Sequence, residues 1–253
     1  MAWILDLDGV LWRGDAPVAG SADAVATLRR RGDDVRFLTN NSSMTLAQYV
    51  AKLRTAGVEA HPDELLTSAQ AAATLIEPGE AVLVCGGPGV VEAVESRGAH
   101  AVTGGAGMDA DVVVVGWHRD FDFDRMAAAS TAIRNGARFV ATNTDATFPV
   151  AGGLLPGNGA IVASVQVASG VDPVVAGKPH EPMAALARER IGAGALQSST
   201  LVGDRPDTDG LMARRLGVRF ALVLTGVATR ADADALDPPA DVVAADLAAL
   251  VGG

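Results

Sequence analysis

Short apolar runs rich in Val, Leu and Ile alternate along this chain with Ala-rich stretches of helical period. Trp3 to Leu7 reads as a first strand. A helix follows from Ser21, taken as its cap, through Val25 and Leu28 to Arg31, with Gly32 as the stop. Val35 to Leu38 is the next strand. A polar loop, Asn40 to Ser43, leads to a second helix through Leu46, Tyr49, Val50 and Leu53 that ends at Gly57. Leu65-Leu66 opens a short strand, with a helix from about Ser68 to Ile76 behind it. Strands alternating with helices predict an α/β protein on a mostly parallel, doubly wound, Rossmann-like sheet.

Pro78-Gly79 punctuates this pattern, and a new set of elements begins there. Val82–Val84, Val112–Val115 and Phe139–Ala141 read as strands, Val90–Ser96 and Arg125–Asn135 as helices, and Gly152-Gly153 and Pro156-Gly157 as turns. Val174-Val175 leads back to Gly177-Lys178-Pro179. The first style then resumes with a helix from Glu181 to Arg190, a strand Thr200–Val202, a helix near Leu211–Leu216 and a strand Phe220–Leu224. A loop at Asp237-Pro238-Pro239 precedes a short final helix. The expected organisation is a core of residues 1–76 and 176–253, interrupted by an inserted α/β domain over residues 77–175.

Composition narrows the function classes. Hydrophobic residues make up 49% of the 253, yet aromatics only 4%, so the core must be built from small aliphatic side chains. A net charge of -10 repels a polyphosphate backbone, which argues against nucleic acid and demands local positive charge wherever a phosphate binds. The one cysteine, Cys85, sits in an apolar run and reads as a small buried hydrophobe; it excludes an intrachain disulfide. His61, His100, His118 and His180 show no metal-ligand spacing. The N-terminus lacks a basic segment followed by a long apolar stretch, and no apolar run reaches membrane-spanning length. A cytoplasmic protein without a membrane partner is expected; the oligomeric state stays open, a homo-oligomer included.

Four polar clusters lie at or just after the ends of expected strands, the edge where open α/β sheets bind ligands. Asp6-Leu7-Asp8-Gly9 reads as turn aspartates or as a reactive pair; Asp6 lies within an apolar strand, where a buried charge needs compensation, of which a metal ion or phosphoryl group is one kind. Thr39-Asn40-Asn41 offers a hydroxyl, amides and N–H groups for phosphate oxygens, or simply caps the next helix. Lys178 is either a surface lysine in a turn or a compact cation for phosphate charge. Gly203-Asp204-Arg205-Pro206-Asp207-Thr208-Asp209 places three carboxylates in a hard-oxygen set suited to Mg2+, or is an acidic solvated loop.

In this order the clusters resemble the four motifs of the haloacid dehalogenase (HAD) superfamily over the whole chain: Asp6-Leu7-Asp8-Gly9-Val10-Leu11, Thr39 with Asn40-Asn41, Lys178, and Asp204 to Asp209. Leu11-Trp12-Arg13-Gly14, Cys85-Gly86-Gly87-Pro88-Gly89, Ala141-Thr142-Asn143-Thr144-Asp145 and Leu155-Pro156-Gly157-Asn158-Gly159 are similar to stretches of its NagD-like, p-nitrophenylphosphatase branch, whose α/β cap lies between motifs two and three. The resemblance implies a Mg2+-dependent phosphatase acting on a small phosphorylated metabolite. Asp6 would be the nucleophile and Asp8 the acid and base. Thr39 and Asn40 would bind phosphoryl oxygen, and Lys178 would balance charge. Asp6, the backbone carbonyl of Asp8 and Asp204 would ligate the metal, with Asp209 in support.

Asp8, rather than Thr or Ser, favours a hydrolase over a transporter-type ATPase. Asn41, Asn143 and Asp145 are further candidates to face the substrate, the last two also reading as turn caps. Phosphoglycolate, glycerol phosphate, sugar phosphates, nucleotides, pyridoxal phosphate and p-nitrophenyl phosphate all fit. The rivals are a phosphoryl-transferring mutase, a catalytically silent phosphate-binding protein and a receiver-like module; the last would carry its phosphoacceptor later in a shorter chain. The chain departs from the branch at Pro206, where a larger aliphatic residue is usual, and at Gly210, where a bulky one is.

Overall fold

The structure, a computed structural model, describes residues 1–103, 109–150 (149 and 150 by backbone only) and 153–252. Strand β1 (Ala2–Leu5) is followed by a two-stranded flap, β2 (Trp12–Arg13) and β3 (Ala16–Pro17), then by β4 (Asp34–Thr39) and β5 (Leu65–Thr67). Next come β6 (Ala81–Cys85), β7 (His100–Thr103), β8 (Val112–Val115) and β9 (Arg138–Ala141). A hairpin of β10 (Thr147–Val150) and β11 (Gly153–Pro156) and the short β12 (Val174–Val175) follow. The chain closes with β13 (Thr200–Gly203), β14 (Arg219–Val223) and β15 (Val242–Ala244).

Six strands form one sheet in the order β15-β14-β13-β1-β4-β5, and five form a second in the order β12-β9-β8-β6-β7. The pairings in both are parallel. Parallel strands are covered on both faces, which is why Val112–Val115 is an unbroken apolar run, buried throughout. In the six-stranded sheet successive residues face opposite ways. Ile4, Leu38 and Leu201 pack with Met183 and Met212 on one side, while Leu5, Phe37 and Val202 pack with Val25, Leu28 and Leu53 on the other. Helices therefore cover both faces, as the alternating pattern predicts.

The Ala-rich helix Ser68–Ala73 lies against the helix Pro88–Ser96, and one apolar cluster runs from Leu66 through Ala69, Ala72 and Ile76 to Val82, Val90 and Val112. The two sheets thus share core rather than meeting across a polar linker.

The structure corrects several local expectations. Ser21 is the first helical residue, with Gly20 as the cap; its hydroxyl donates to the Val18 carbonyl instead. The helix from Ser68 ends at Ala73, short of Ile76. Strands β7 and β15 and the helix Asn158–Ser169 were not anticipated. Of the turn expected at Gly152-Gly153, Gly152 lies outside the described residues, and Gly153 begins β11. Among the described residues, no helix is long and apolar enough to cross a membrane.

Candidate active site

Strand β1 lies between β4 and β13, and the chain leaves it on one side and returns on the other. That reversal opens a crevice at the carboxyl ends of these strands. Asp6 follows β1, Thr39 ends β4, and Asp204 follows β13. All three side chains are buried, at 6%, 1% and 1% exposure. The turn after β1 needs Gly9: its φ is 85°, and a Cβ there would overlap the Asp204 carboxylate.

Lys178 enters this crevice from the loop after β12. Its ammonium lies 2.8 Å from Asp6 Oδ1 and 2.7 Å from Asp209 Oδ1, and it donates to the Leu38 carbonyl at 3.2 Å. All three of its donors are used. Burial alone would lower the Lys178 pKa, but Asp209 and Asp6 outweigh it and raise the pKa well above the ordinary lysine value. Burial pushes the Asp6 carboxyl well above its usual range; Lys178 opposes the shift, and Asp209 and Asp204 add to it.

Among the described residues one group of possible metal ligands emerges, Asp6, Asp204 and Asp209, each offering an oxygen within 4.8 Å of the others. With all three carboxylates ionised, as metal ligation requires, one ammonium would leave two negative charges in a buried site. Asp204 Oδ2 accepts from the Val227 N–H at 2.6 Å, whereas the buried Oδ1 has no partner among the described residues. Burial, with Asp209 beside it, pushes Asp204 up to about 7. An orphaned buried oxygen, an all-carboxylate donor set and a double charge deficit fit a hard divalent cation such as Mg2+. Asp209 is fixed by a π-helical turn over Pro206–Gly210 and also accepts from the Arg205 N–H at 3.1 Å. The Phe220 ring packs where a side chain at Gly210 would stand, so the departures at Pro206 and Gly210 leave the carboxylates gathered.

Asp8 also lines the cleft, outside that cluster. Burial raises its pKa, while Lys52 and the Trp12 N–H hold it back. Thr39 Oγ1 accepts from the Asn41 N–H at 3.1 Å, a turn that keeps its hydroxyl at the strand end. Asn40 acts as a clamp: its Oδ1 accepts from the Lys178 N–H at 2.7 Å, and its amide donates to the Lys178 carbonyl at 3.1 Å and to both Asp145 oxygens. Asn41 Oδ1 is taken up by the Ser43 N–H and hydroxyl.

From the second sheet, Asn143 donates to the Asn40 carbonyl at 2.6 Å and accepts from the Asp145 N–H, which folds Asp145 back over the cleft. Burial raises the Asp145 pKa, opposed by Arg205 and Lys178. The structure thus brings the candidate residues to one cleft, except that Asp209 lies fully buried behind its lining, held by Lys178. It adds Trp117 and Phe148, an edge-to-face pair 4.9 Å apart, and Arg205, which donates to the Thr147 carbonyl across the cleft. Arg205 follows a candidate ligand directly, a signal that was available; Trp117 and Phe148 carried none. Cys85 is buried and its thiol is pushed up to about 12 by burial, in keeping with a core role.

A family model described as haloacid dehalogenase-like hydrolase matches residues 3–100, and one described as HAD-hydrolase-like matches residues 175–250. The chain is 36% identical over 234 residues to an acid sugar phosphatase of Staphylococcus aureus, covering 91% of this chain and 89% of that protein. The chain belongs to the haloacid dehalogenase superfamily, in its NagD-like branch. This HAD-like fold superimposes on the magnesium complex of glycerol phosphate phosphatase Rv1692 from Mycobacterium tuberculosis with a TM-score of 0.89 and 36% identity, covering 98% of this chain and 75% of that one. It also matches a p-nitrophenyl phosphatase from Archaeoglobus fulgidus, with a TM-score of 0.88 and 31% identity over 99% and 98% of the two chains.

Proposed function

We propose that this HAD-like chain is a Mg2+-dependent phosphatase that hydrolyses a small phosphate monoester through an aspartyl phosphate on Asp6. The observation that carries this reading is the buried Lys178 ammonium held 2.8 Å from Asp6, beside two further carboxylates with a net negative surplus. The relatives support it: they are phosphatases of sugar phosphate, glycerol phosphate and p-nitrophenyl phosphate. Residues 1–76 and 176–253 act as the catalytic core, and residues 77–175 as a cap that excludes water and selects the ester.

Asp6, the Asp8 carbonyl and Asp204 would hold the cation, with Asp209 in support. The cation, when bound, screens the negative phosphoryl oxygens and stabilises charge on them as phosphorus is transferred. The Asp6 carboxylate attacks phosphorus while the ester P–O bond breaks, and Asp8 gives its proton to the departing alcohol oxygen. Asp8 then takes a proton from water as that water attacks the acyl phosphate, which frees inorganic phosphate and restores Asp6. Lys178 neutralises Asp6 throughout, and Thr39, with Asn40 beside it, holds a phosphoryl oxygen.

The test is a screen of phosphate monoesters with Mg2+ or EDTA on the wild type and Asp6→Asn. Mg2+-dependent release of phosphate is expected, falling at least about a thousandfold in Asp6→Asn with the thermal transition retained. Near-normal turnover by Asp6→Asn sinks the nucleophile role, and full activity in EDTA sinks the metal role. Binding of phosphate esters without hydrolysis points to a silent binding protein, and transfer between sugars without free phosphate points to a mutase.

A further inference from the structure

The proton-transfer role of Asp8 leaves unused the group directly behind it. Trp12 is 1% exposed and starts the flap strand β2. Its indole N–H donates to Asp8 Oδ1 at 3.0 Å. The ring is tied to the turn that carries Asp8, since the Gly9 N–H donates to the Trp12 carbonyl at 2.7 Å and the Trp12 N–H to the Leu7 carbonyl at 3.3 Å. The Lys52 ammonium lies over the indole, 4.6 Å from its centre. Asp8 lines the cleft and Trp12 does not.

We propose that Trp12 is a positioning residue: its N–H holds Asp8 Oδ1, so that the transferable proton resides on Oδ2 and is presented to the leaving oxygen. The proposal rests on the reading of Asp8 as acid and base.

A carboxyl group turns easily about its last torsion, and its two oxygens are interchangeable until a neighbour distinguishes them. In a carboxylic acid the carbonyl oxygen is the better acceptor and the hydroxyl oxygen the donor. An N–H fixed on Oδ1 therefore assigns the carbonyl role to Oδ1 and the hydroxyl to Oδ2. No hydrogen bond is made to Oδ2 among the described residues, which leaves it for the substrate. The indole is buried, so its N–H needs this acceptor. The cation over its face draws electron density from the ring and makes the N–H a stronger donor. The same contact serves the second half-reaction, in which Oδ2 receives the proton of the attacking water.

The test separates positioning from packing by the basicity of the leaving group. p-Nitrophenolate departs with little need of a proton, whereas the alkoxide of glycerol phosphate requires one. kcat/KM for each ester is measured on the wild type, Trp12→Phe, and a protein in which the indole is replaced by the isosteric benzothiophene of benzothienylalanine. The last removes the N–H while keeping the ring shape, so a packing defect in Trp12→Phe does not decide the outcome. In both variants the ratio of glycerol phosphate to p-nitrophenyl phosphate is expected to fall about tenfold or more. A parallel fall on both esters, or no change in the ratio, overturns the proposal. Asp8→Asn tells the two levels apart. If it lowers the ratio steeply and the Trp12 variants do not, positioning alone fails; if it lowers both esters equally, the acid role of Asp8 itself fails.

Discussion

The sheet carrying β1 and the sheet carrying β8 are built alike, parallel, apolar and covered by helices, yet their strand ends differ. The first ends in carboxylates: Asp6 after β1, Asp204 after β13, and Asp209 in the turn beyond. In the second, β6, β8 and β9 run directly into uncharged residues, Gly86, Gly116, and Thr142 with Asn143, and its charged groups, Asp145 and Lys178, come later in the loops after β9 and β12. Those neutral groups are paired across the junction, Thr142 Oγ1 with Ser42 Oγ at 3.0 Å and Asn143 with the Asn40 carbonyl at 2.6 Å. The carboxylates are only partly paired: one lysine serves two of them, and one Asp204 oxygen has no partner among the described residues. A polar group satisfied within the protein can dock; a charge left in deficit can bind and react.

The sharpest way to break this contrast is to remove the shared cation. Lys178→Met leaves Asp6 and Asp209 buried without their ammonium. Activity on any ester is expected to fall about a thousandfold or more, because charge at Asp6 and on the phosphoryl oxygens loses its neutralising partner. In EDTA the variant should also lose about 3–5 kcal/mol of stability, measured by urea unfolding. A variant of normal activity would place the essential positive charge elsewhere.

The next effect reads the deficit directly. Asp204 has its folded pKa pushed up to about 7, above an unfolded value of about 3.9. The folded metal-free protein therefore binds the extra proton between these limits. Its contribution is full below the unfolded pKa and is lost as pH rises through the folded one. In EDTA the melting temperature should fall by a few degrees from pH 5 to pH 8. Saturating Mg2+ should raise it more at pH 8 than at pH 5, because the cation displaces the proton. Asp204→Asn should lose much of both responses. Equal stabilisation by Mg2+ at the two pH values would remove Asp204 from the metal site.

The two sheet ends were also unequally legible. A carboxylate inside an apolar run is a local anomaly, so Asp6, which the structure places just after β1 rather than within it, and the acidic run from Asp204 stood out of the sequence before any fold was known. The neutral docking groups were less legible, because Ser, Thr and Asn are ordinary in loops: Asn40 and Asn143 stood out only as candidate substrate groups, Ser42 and Thr142 not at all, and only tertiary contact shows the Asn40 amide shared between Lys178 and Asp145. The helix Asn158–Ser169 was hidden for a related reason. Pro156-Gly157 reads as a turn, yet Gly157 is demanded by packing, since a Cβ there would collide with the Asp145 carbonyl. Strands β7 and β15 are sheet edges with half-exposed residues, which weakens the apolar pattern that revealed the central strands.

The smallest effect probes the neutral side. Thr142 is fully buried, and its hydroxyl meets Ser42 Oγ at 3.0 Å and the Asn158 amide at 3.3 Å. Thr142→Val keeps the shape and removes the oxygen. One net hydrogen bond is worth about 1 kcal/mol, so the melting temperature should drop by roughly 2–4 °C. The chemistry should barely respond, because Thr142 adds no charge to the site: kcat/KM is expected to stay within about twofold of wild type, against a thousandfold loss at Lys178. A large loss of activity at unchanged stability would mean that the junction transmits geometry to the carboxylates. Docking and catalysis would then be one function of the two sheet ends rather than two.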